Sequence, residues 1–246
     1  MFFKMMTGEW LKLRKTPVML AHILIPVIVS VVFLAYYAIS PWSEPSKISA
    51  FYQALGVGFP VLIGIFAANT AEQEQNAGEY QNLLSLPNKR KIFIVKVWIY
   101  LILGLFSVIM AALLFGIGFQ KMFGGAVGLN IYLMAALLMW VSSIPIYIWL
   151  MYLAFRFGKG VSIGAGIIFG LISALMLTGM GLYIWHYVPV DWTGRIPDTF
   201  IRAVFGEISA VHKIRKVLPI YCIFMVFSML YYVIWASRWE GSKISE

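Results

Sequence analysis

The chain has 246 residues, of which 61% are hydrophobic and only 12% charged, about half the charged share of an ordinary soluble domain. Its mean hydropathy is +0.86, so the bilayer is its natural solvent. A net charge of +9 would suggest nucleic acid in a soluble protein, but here the basic residues cluster at the ends of apolar segments, where they orient spans, and no nucleic-acid partner is expected.

Residues 2–15 come first. Phe3, Met6, Trp10 and Leu13 recur at helical spacing and form one apolar stripe, with Lys4 and Lys12 away from it. This predicts an interfacial helix with Trp10 at headgroup level. It serves as a positively charged anchor or also packs against the bundle. The first span covers 17–39 and opens on Thr16-Pro17, an N-cap followed by proline at the first helical position. No small-x-small exit follows it, so it reads as a retained span rather than a cleaved leader. Five more stretches supply the about 20 residues that cross a ~30 Å core: 51–70, 92–118, 129–155, 160–187 and 217–237. Pro26, Pro60 and Pro145 lie inside spans, which is tolerable where neighbours re-satisfy the freed backbone groups. The expected fold is an all-α membrane protein, one domain of six transmembrane helices over 1–246.

The polar stretch 72–91 separates the second and third spans. Glu72 to Ser85 predicts a short amphipathic helix, with Ala77, Tyr80, Leu83 and Leu84 on one side and Glu74, Gln75, Glu79, Gln81 and Asn82 around the rest. Pro87 ends it and Asn88 caps the next helix. A helix that docks in a partner's groove and a solvated connector carrying a basic topology signal stand level on these residues alone. In the fifth span Ser162, Gly166, Gly170 and Ala174 fall at four-residue spacing, a stripe that lets another helix come close, within the subunit or across a dimer seam. The long segment 188–216 predicts a helix from Pro197, with Asp198 in its first turn and an apolar stripe of Ile201, Val204, Phe205, Ile208, Val211 and Leu218. Lys213, Arg215 and Lys216 end it in agreement with the helix dipole. It lies in the outer interface or caps the bundle. At 29 residues it is long for a connector, and long ordered loops tend to be functional.

With the N-terminus inside, twelve of the nineteen Lys and Arg residues fall on inside segments and seven outside, five of these in 188–216. Long segments weigh little in this rule, so both termini are expected in the cytoplasm. Candidate chemistry is sparse. His22, His186 and His212 lie far apart in sequence, without metal spacing, and read as structural or interfacial. The carboxylates are expected outside the apolar cores, and no ionisable residue is expected at membrane depth, where ion-coupled carriers place one. No phosphate-binding G-x-x-x-x-G-K-[ST] is present. Uphill transport would need energy from another chain, and this chain is expected to be no enzyme and to bind no cofactor or metal itself.

"GEWLKLRKTP" at 8–17, six spans, a dominant inner loop after the second and a long outer loop after the fifth resemble the ABC-2 class of transporter permeases. "LKLRKT" at 11–16 and "NTAEQEQNAGEYQNLLSLPNKRKIFIVKVW" at 69–98 look most like the lantibiotic-immunity permeases of Gram-positive bacteria. The resemblance implies a plasma-membrane subunit that expels an antimicrobial peptide. It implies two copies of an ABC ATP-binding subunit, with ATP and Mg bound there, and a second permease, identical or homologous. A lipid or drug as the amphipathic substrate, or a non-transporting scaffold that docks a partner through 72–91, is the alternative. Carried over, Glu72, Glu74, Gly78, Glu79, Tyr80, Leu83, Leu84 and Pro87 become coupling candidates, and Glu9, Trp10 and Lys12 mark the connecting helix. Trp192, Pro197, Phe200 and Phe205 become outer gate candidates. One feature departs from the pattern: the outer region is basic, which suits a cationic peptide poorly.

Overall fold

The computed structural model describes residues 2–14, 16–86 and 88–241; Pro87, a coupling candidate, lies outside the described residues. Among them the helices are α1 (Phe2–Leu13), α2 (Pro17–Ile39), α3 (Glu44–Asn76), α4 (Gln81–Leu84), α5 (Lys89–Phe123), α6 (Leu129–Phe157), α7 (Lys159–Met176), α8 (Trp192–Val204) and α9 (Ile208–Arg238). All but α1, α4 and α8 are long and apolar enough to cross a membrane. No strand occurs among the described residues.

Helices α3, α5 and α6 form the interior, each about half buried along its apolar stretch, while α2, α7 and α9 form a rim that shows most of its apolar surface outward. α7 lies along α3, and α2 leans on α5 while scarcely touching α3. Such an arrangement is stable only where the outer solvent is hydrocarbon, since α2 alone exposes Leu20, Ile28, Val31 and Val32.

Each proline inside the first, second and fourth spans removes the hydrogen bond to the carbonyl four residues earlier. In hydrocarbon an unmet carbonyl costs several kcal/mol. A hydroxyl from another part of the chain meets each one. Ser107 donates to the His22 carbonyl freed by Pro26, at 2.9 Å. Thr193 donates to the Gly56 carbonyl freed by Pro60, at 2.9 Å. Tyr221 donates to the Val141 carbonyl freed by Pro145, at 2.7 Å.

Several boundaries differ from the expected ones. The second span begins at Glu44, where Pro45 sits in the first turn, and runs on to Asn76, so Glu72 and Glu74 belong to its last turns rather than to a separate helix. The predicted helix Glu72–Ser85 does not form. Gly78, Glu79 and Tyr80 take positive φ angles of 115°, 50° and 67° in succession, and only the single turn Gln81–Leu84 follows. The fifth span stops at Met176, eleven residues early, and tight 3₁₀ turns carry the chain to Asp191. Pro197 does not start the outer helix: α8 begins at Trp192 and holds Pro197 inside it. The stripe from Ile201 to Leu218 is divided by a break at Phe205–Glu207, and its second part belongs to α9. Asn88 caps α5 as expected, its side chain accepting from the Lys91 amide.

α8 neither lies on the surface nor merely covers the bundle end. It inserts against α3, α6 and α9. Gly56 of α3 meets Gly194 of α8 so closely that a methyl group at Gly56 would collide with the Gly194 backbone. On the other side of α3, a methyl at Gly166 would stand 2.7 Å from the Pro60 carbonyl and one at Gly170 2.9 Å from that of Val57. Ser162 donates to the Gly64 carbonyl at 3.0 Å. The stripe of α7 is thus occupied within the chain.

Candidate functional site at the terminal face

Both ends of the described chain meet at one face of the bundle. α1 packs on the start of α5, and Trp239, just past α9, is buried against Phe93, Phe155 and Tyr80. Four charged side chains tie α1 to the spans here. Lys96 of α5 is 1% exposed and reaches Glu9 of α1 at 2.5 Å and Glu74 of α3 at 2.6 Å. Lys12, on the outer side, reaches the same carboxylates at 2.7 and 2.6 Å. Two cations and two anions cancel, which is the condition under which charge survives burial. Burial alone would lower the Lys12 amine, but Glu74 and Glu9 outweigh it and hold it above the usual lysine range.

This cluster corrects two expectations. Carboxylates do enter the buried core, and Lys96 lies inside the predicted third span. Glu9, Lys12 and Glu74 come together as neighbours, and Lys96 is the member that sequence reasoning missed. The usable signal was a lysine five residues into an apolar span, which demands a buried acidic partner. The expected stripe of α1 is corrected as well. Glu9 and Leu13 face the bundle, while Phe3 and Trp10 are exposed and border, with Met6, an open groove against Ile99 and Ile102.

Beyond Glu74 the chain forms a knuckle. Gln75 to Glu79 are exposed, as are Gln81, Asn82 and Ser85. Left-handed backbone at Glu79 and Tyr80 costs on the order of 1 kcal/mol or more per residue. It is held because Tyr80 is buried edge-on against the Trp239 ring at 5.4 Å and Leu83 is 2% exposed. The Glu79 amide also closes on the Gln75 carbonyl at 2.7 Å. Tyr80, Leu83 and the half-buried Leu84 therefore face inward. Gly78 and Glu79 form the tip. Glu72, on the flank, is bridged to Lys159 of α7 at 2.9 Å.

At the opposite face none of the four gate candidates is exposed. Trp192 is fully buried between Tyr221 and Phe224, and its indole N–H donates to the His186 carbonyl at 3.2 Å. Pro197 is buried, while Phe200 and Phe205 are half-buried against the main core. Arg195 donates to the Met176 carbonyl that ends α7 and faces the buried Asp191 at 3.5 Å. Burial pushes the Asp191 carboxyl up to about 7, against the opposing pull of Arg195. Arg202 joins Asp198 to Glu207, which also holds Lys213.

The described residues form a bundle of six helices long and apolar enough to cross a membrane, with a polar knuckle clamped at one face. Residues 5–173 match the ABC-2 family transporter protein family, more than half of the chain, and the chain belongs to that family. It is a multi-pass plasma-membrane protein, the permease component of a transporter, and is not itself the ATPase. Such a component associates with an ABC ATP-binding subunit. The match holds most of α1, the charge cluster and the knuckle and ends within α7; α8 and α9 lie beyond it. No curated protein matches the chain.

Proposed function

We propose that the chain is the permease of a transporter that expels a lantibiotic or a similar antimicrobial peptide from the membrane. Two ATP-binding subunits drive it, and a second permease, identical or homologous, completes the pathway. Both termini lie in the cytoplasm, and the 75–82 knuckle is the part the ATPase grips. One observation carries this reading: α3 runs unbroken from the bundle into the knuckle, and Glu74 is clamped to Lys96 and Lys12 one turn before the tip. A push on Glu79 is therefore delivered to α3 and α1 together rather than absorbed in a loose loop.

The test joins Glu79→Ala to Asn82→Ala, both exposed, in cells that also express the partner ATPase. Peptide protection and co-purification of the ATPase should fall at least tenfold while the permease still inserts. Wild-type levels of both would sink the coupling role. A second reading, an acidic or lipid-associated amphiphile as substrate, is favoured by the outer cations, since Arg215 and Lys216 stand exposed without an ion-pair partner among the described residues. Protection against lipid-targeting acidic agents instead of cationic peptides would select it.

A further inference from the structure

We propose that the seam between α6 and α9 at the terminal face binds one anionic phospholipid. Its wall is aromatic. Trp149 of α6 stacks on Tyr231 of α9 at 5.2 Å and 21°, and Phe227 lies nearly parallel to both. Tyr152 stands edge-on to Tyr231 and to Trp235 at 5.3 and 5.0 Å. The outer edges of Tyr231, Phe227 and Phe157 are exposed. Three polar groups of the wall are already engaged: the Tyr231 and Tyr152 hydroxyls bond each other at 3.1 Å, and the Trp149 N–H donates to Ser228 at 3.0 Å. What remains open is a smooth apolar strip.

Cations close the strip at the membrane surface. Arg156 follows Tyr152 by one turn on α6, with its guanidinium 5.6 Å from the Phe157 ring. Arg238 follows Tyr231 by two turns on the same face of α9. Both are exposed, and neither has an ion-pair partner among the described residues. Lys89 at the same end donates to the Trp239 carbonyl at 3.1 Å, and Glu240 is the adjacent carboxylate. From Arg238 back to Phe227 is eleven residues, roughly 16 Å at about 1.5 Å per residue. That is about half of a ~30 Å hydrocarbon core, the depth of one leaflet. An acyl chain fills the strip while the phosphate meets the guanidinium groups, which bind it in bidentate fashion. A net negative headgroup matches three cations, Arg156, Arg238 and Lys89, against one carboxylate, whereas a choline headgroup would set a fourth cation among them. Aromatic belts place Trp and Tyr at the interface, but here the stacked rings continue inward beyond it. The identity of the leaflet, the cytoplasmic one, rests on the placement of the termini proposed above; the lipid's charge does not.

The test is native mass spectrometry of the protein released from nanodiscs of equal phosphatidylglycerol and phosphatidylcholine. The wild type should retain phosphatidylglycerol at least fivefold over phosphatidylcholine. R156Q/R238Q should lose that preference, and R215Q/K216Q at the opposite face should keep it. A melting temperature of R156Q/R238Q in phosphatidylcholine equal to that of wild type, together with loss of the rise that phosphatidylglycerol produces, would support the site independently. Equal retention of the two lipids by wild type, an unchanged preference in R156Q/R238Q, or a second protein copy on the seam that lipid does not displace would each overturn it. Labelling of a Phe157→Cys, Cys222→Ser protein by an impermeant maleimide reports sidedness separately. Reaction from outside intact cells would overturn the leaflet assignment and the topology behind it while leaving the lipid selectivity standing.

Discussion

Lys96 shows how far a single residue constrains this bundle. Its ammonium stands between two buried carboxylates, and its removal leaves Lys12 as one cation against both. Lys96→Met should cost on the order of 3–5 kcal/mol, read as a large fall in the melting temperature of purified protein. Lys96→Met with Glu74→Leu leaves the Lys12–Glu9 pair at 2.7 Å and should recover more than half of that loss. No recovery would mean that the packing of the lysine stem, not charge, was measured. Asp191 carries the pH dependence. Its folded pKa lies near 7, above the usual carboxylate value, so the folded state keeps a proton that the unfolded chain releases. Stability should therefore decline as pH rises from about 4 to about 7 and level off above that. Asp191→Asn should flatten this slope in thermal melts taken across the window; an unchanged slope would assign the dependence to another group. At this scale the sequence was only partly legible. Glu74 stood out in the polar stretch and Glu9 and Lys12 entered as site residues only through the family resemblance, but nothing local pairs residues 87 positions apart, and Asp191 reads as a loop acid until α8 is seen to bury it.

At the level of elements, close packing is concentrated around α3. Gly56→Ala drives a methyl into the Gly194 backbone, where no side chain can yield, and should destabilise by about 1–3 kcal/mol. Gly164→Ala, with nothing within 4 Å, should be neutral or stabilising by up to about 1 kcal/mol through helix propensity. Equal melting temperatures for the two variants would contradict the α3–α8 contact. The spans themselves were legible because a run of about 20 apolar residues is the length that fits a bilayer core, and this chain holds few charges to interrupt such runs. Their ends were less so. Leu177, Leu182, Tyr183, Ile184 and Trp185 are as apolar as the span before them, so hydropathy ran through a boundary that Thr178, Gly179 and Gly181 set by turning the backbone. The knuckle was misread as a helix for the converse reason. Its Glu, Gln and Leu residues favour helix locally, but Gly78 does not, and burial of Tyr80 against Trp239, 159 positions away in sequence, holds the turn.

For the whole molecule, the two faces differ in kind. The terminal face holds a neutral, clamped charge cluster beside an exposed polar tip, and the opposite face holds an inserted helix whose buried acids, Asp191 and Asp198, pair with less buried arginines. Class and family were legible from the span count and the 69–98 segment; the substrate was not, because the apolar residues that make a span fit the bilayer carry no pattern that selects a ligand. The three hydroxyl rescues of proline-freed carbonyls also have a temporal side. The Gly56 carbonyl is made 137 residues before Thr193, a lag of roughly 7–27 s at about 5–20 residues per second. Until then the second span carries a stranded backbone oxygen, which should favour clearance of the unfinished chain by membrane quality control. A chain ending at residue 190 should be cleared several times faster than the full chain, and Pro60→Ala, which restores the helical bond to Gly56, should lengthen its half-life in a pulse-chase experiment. Two of the three donors, Thr193 and Tyr221, lie in the last third of the polypeptide, so the second and fourth spans gain their backbone partners only when it is made.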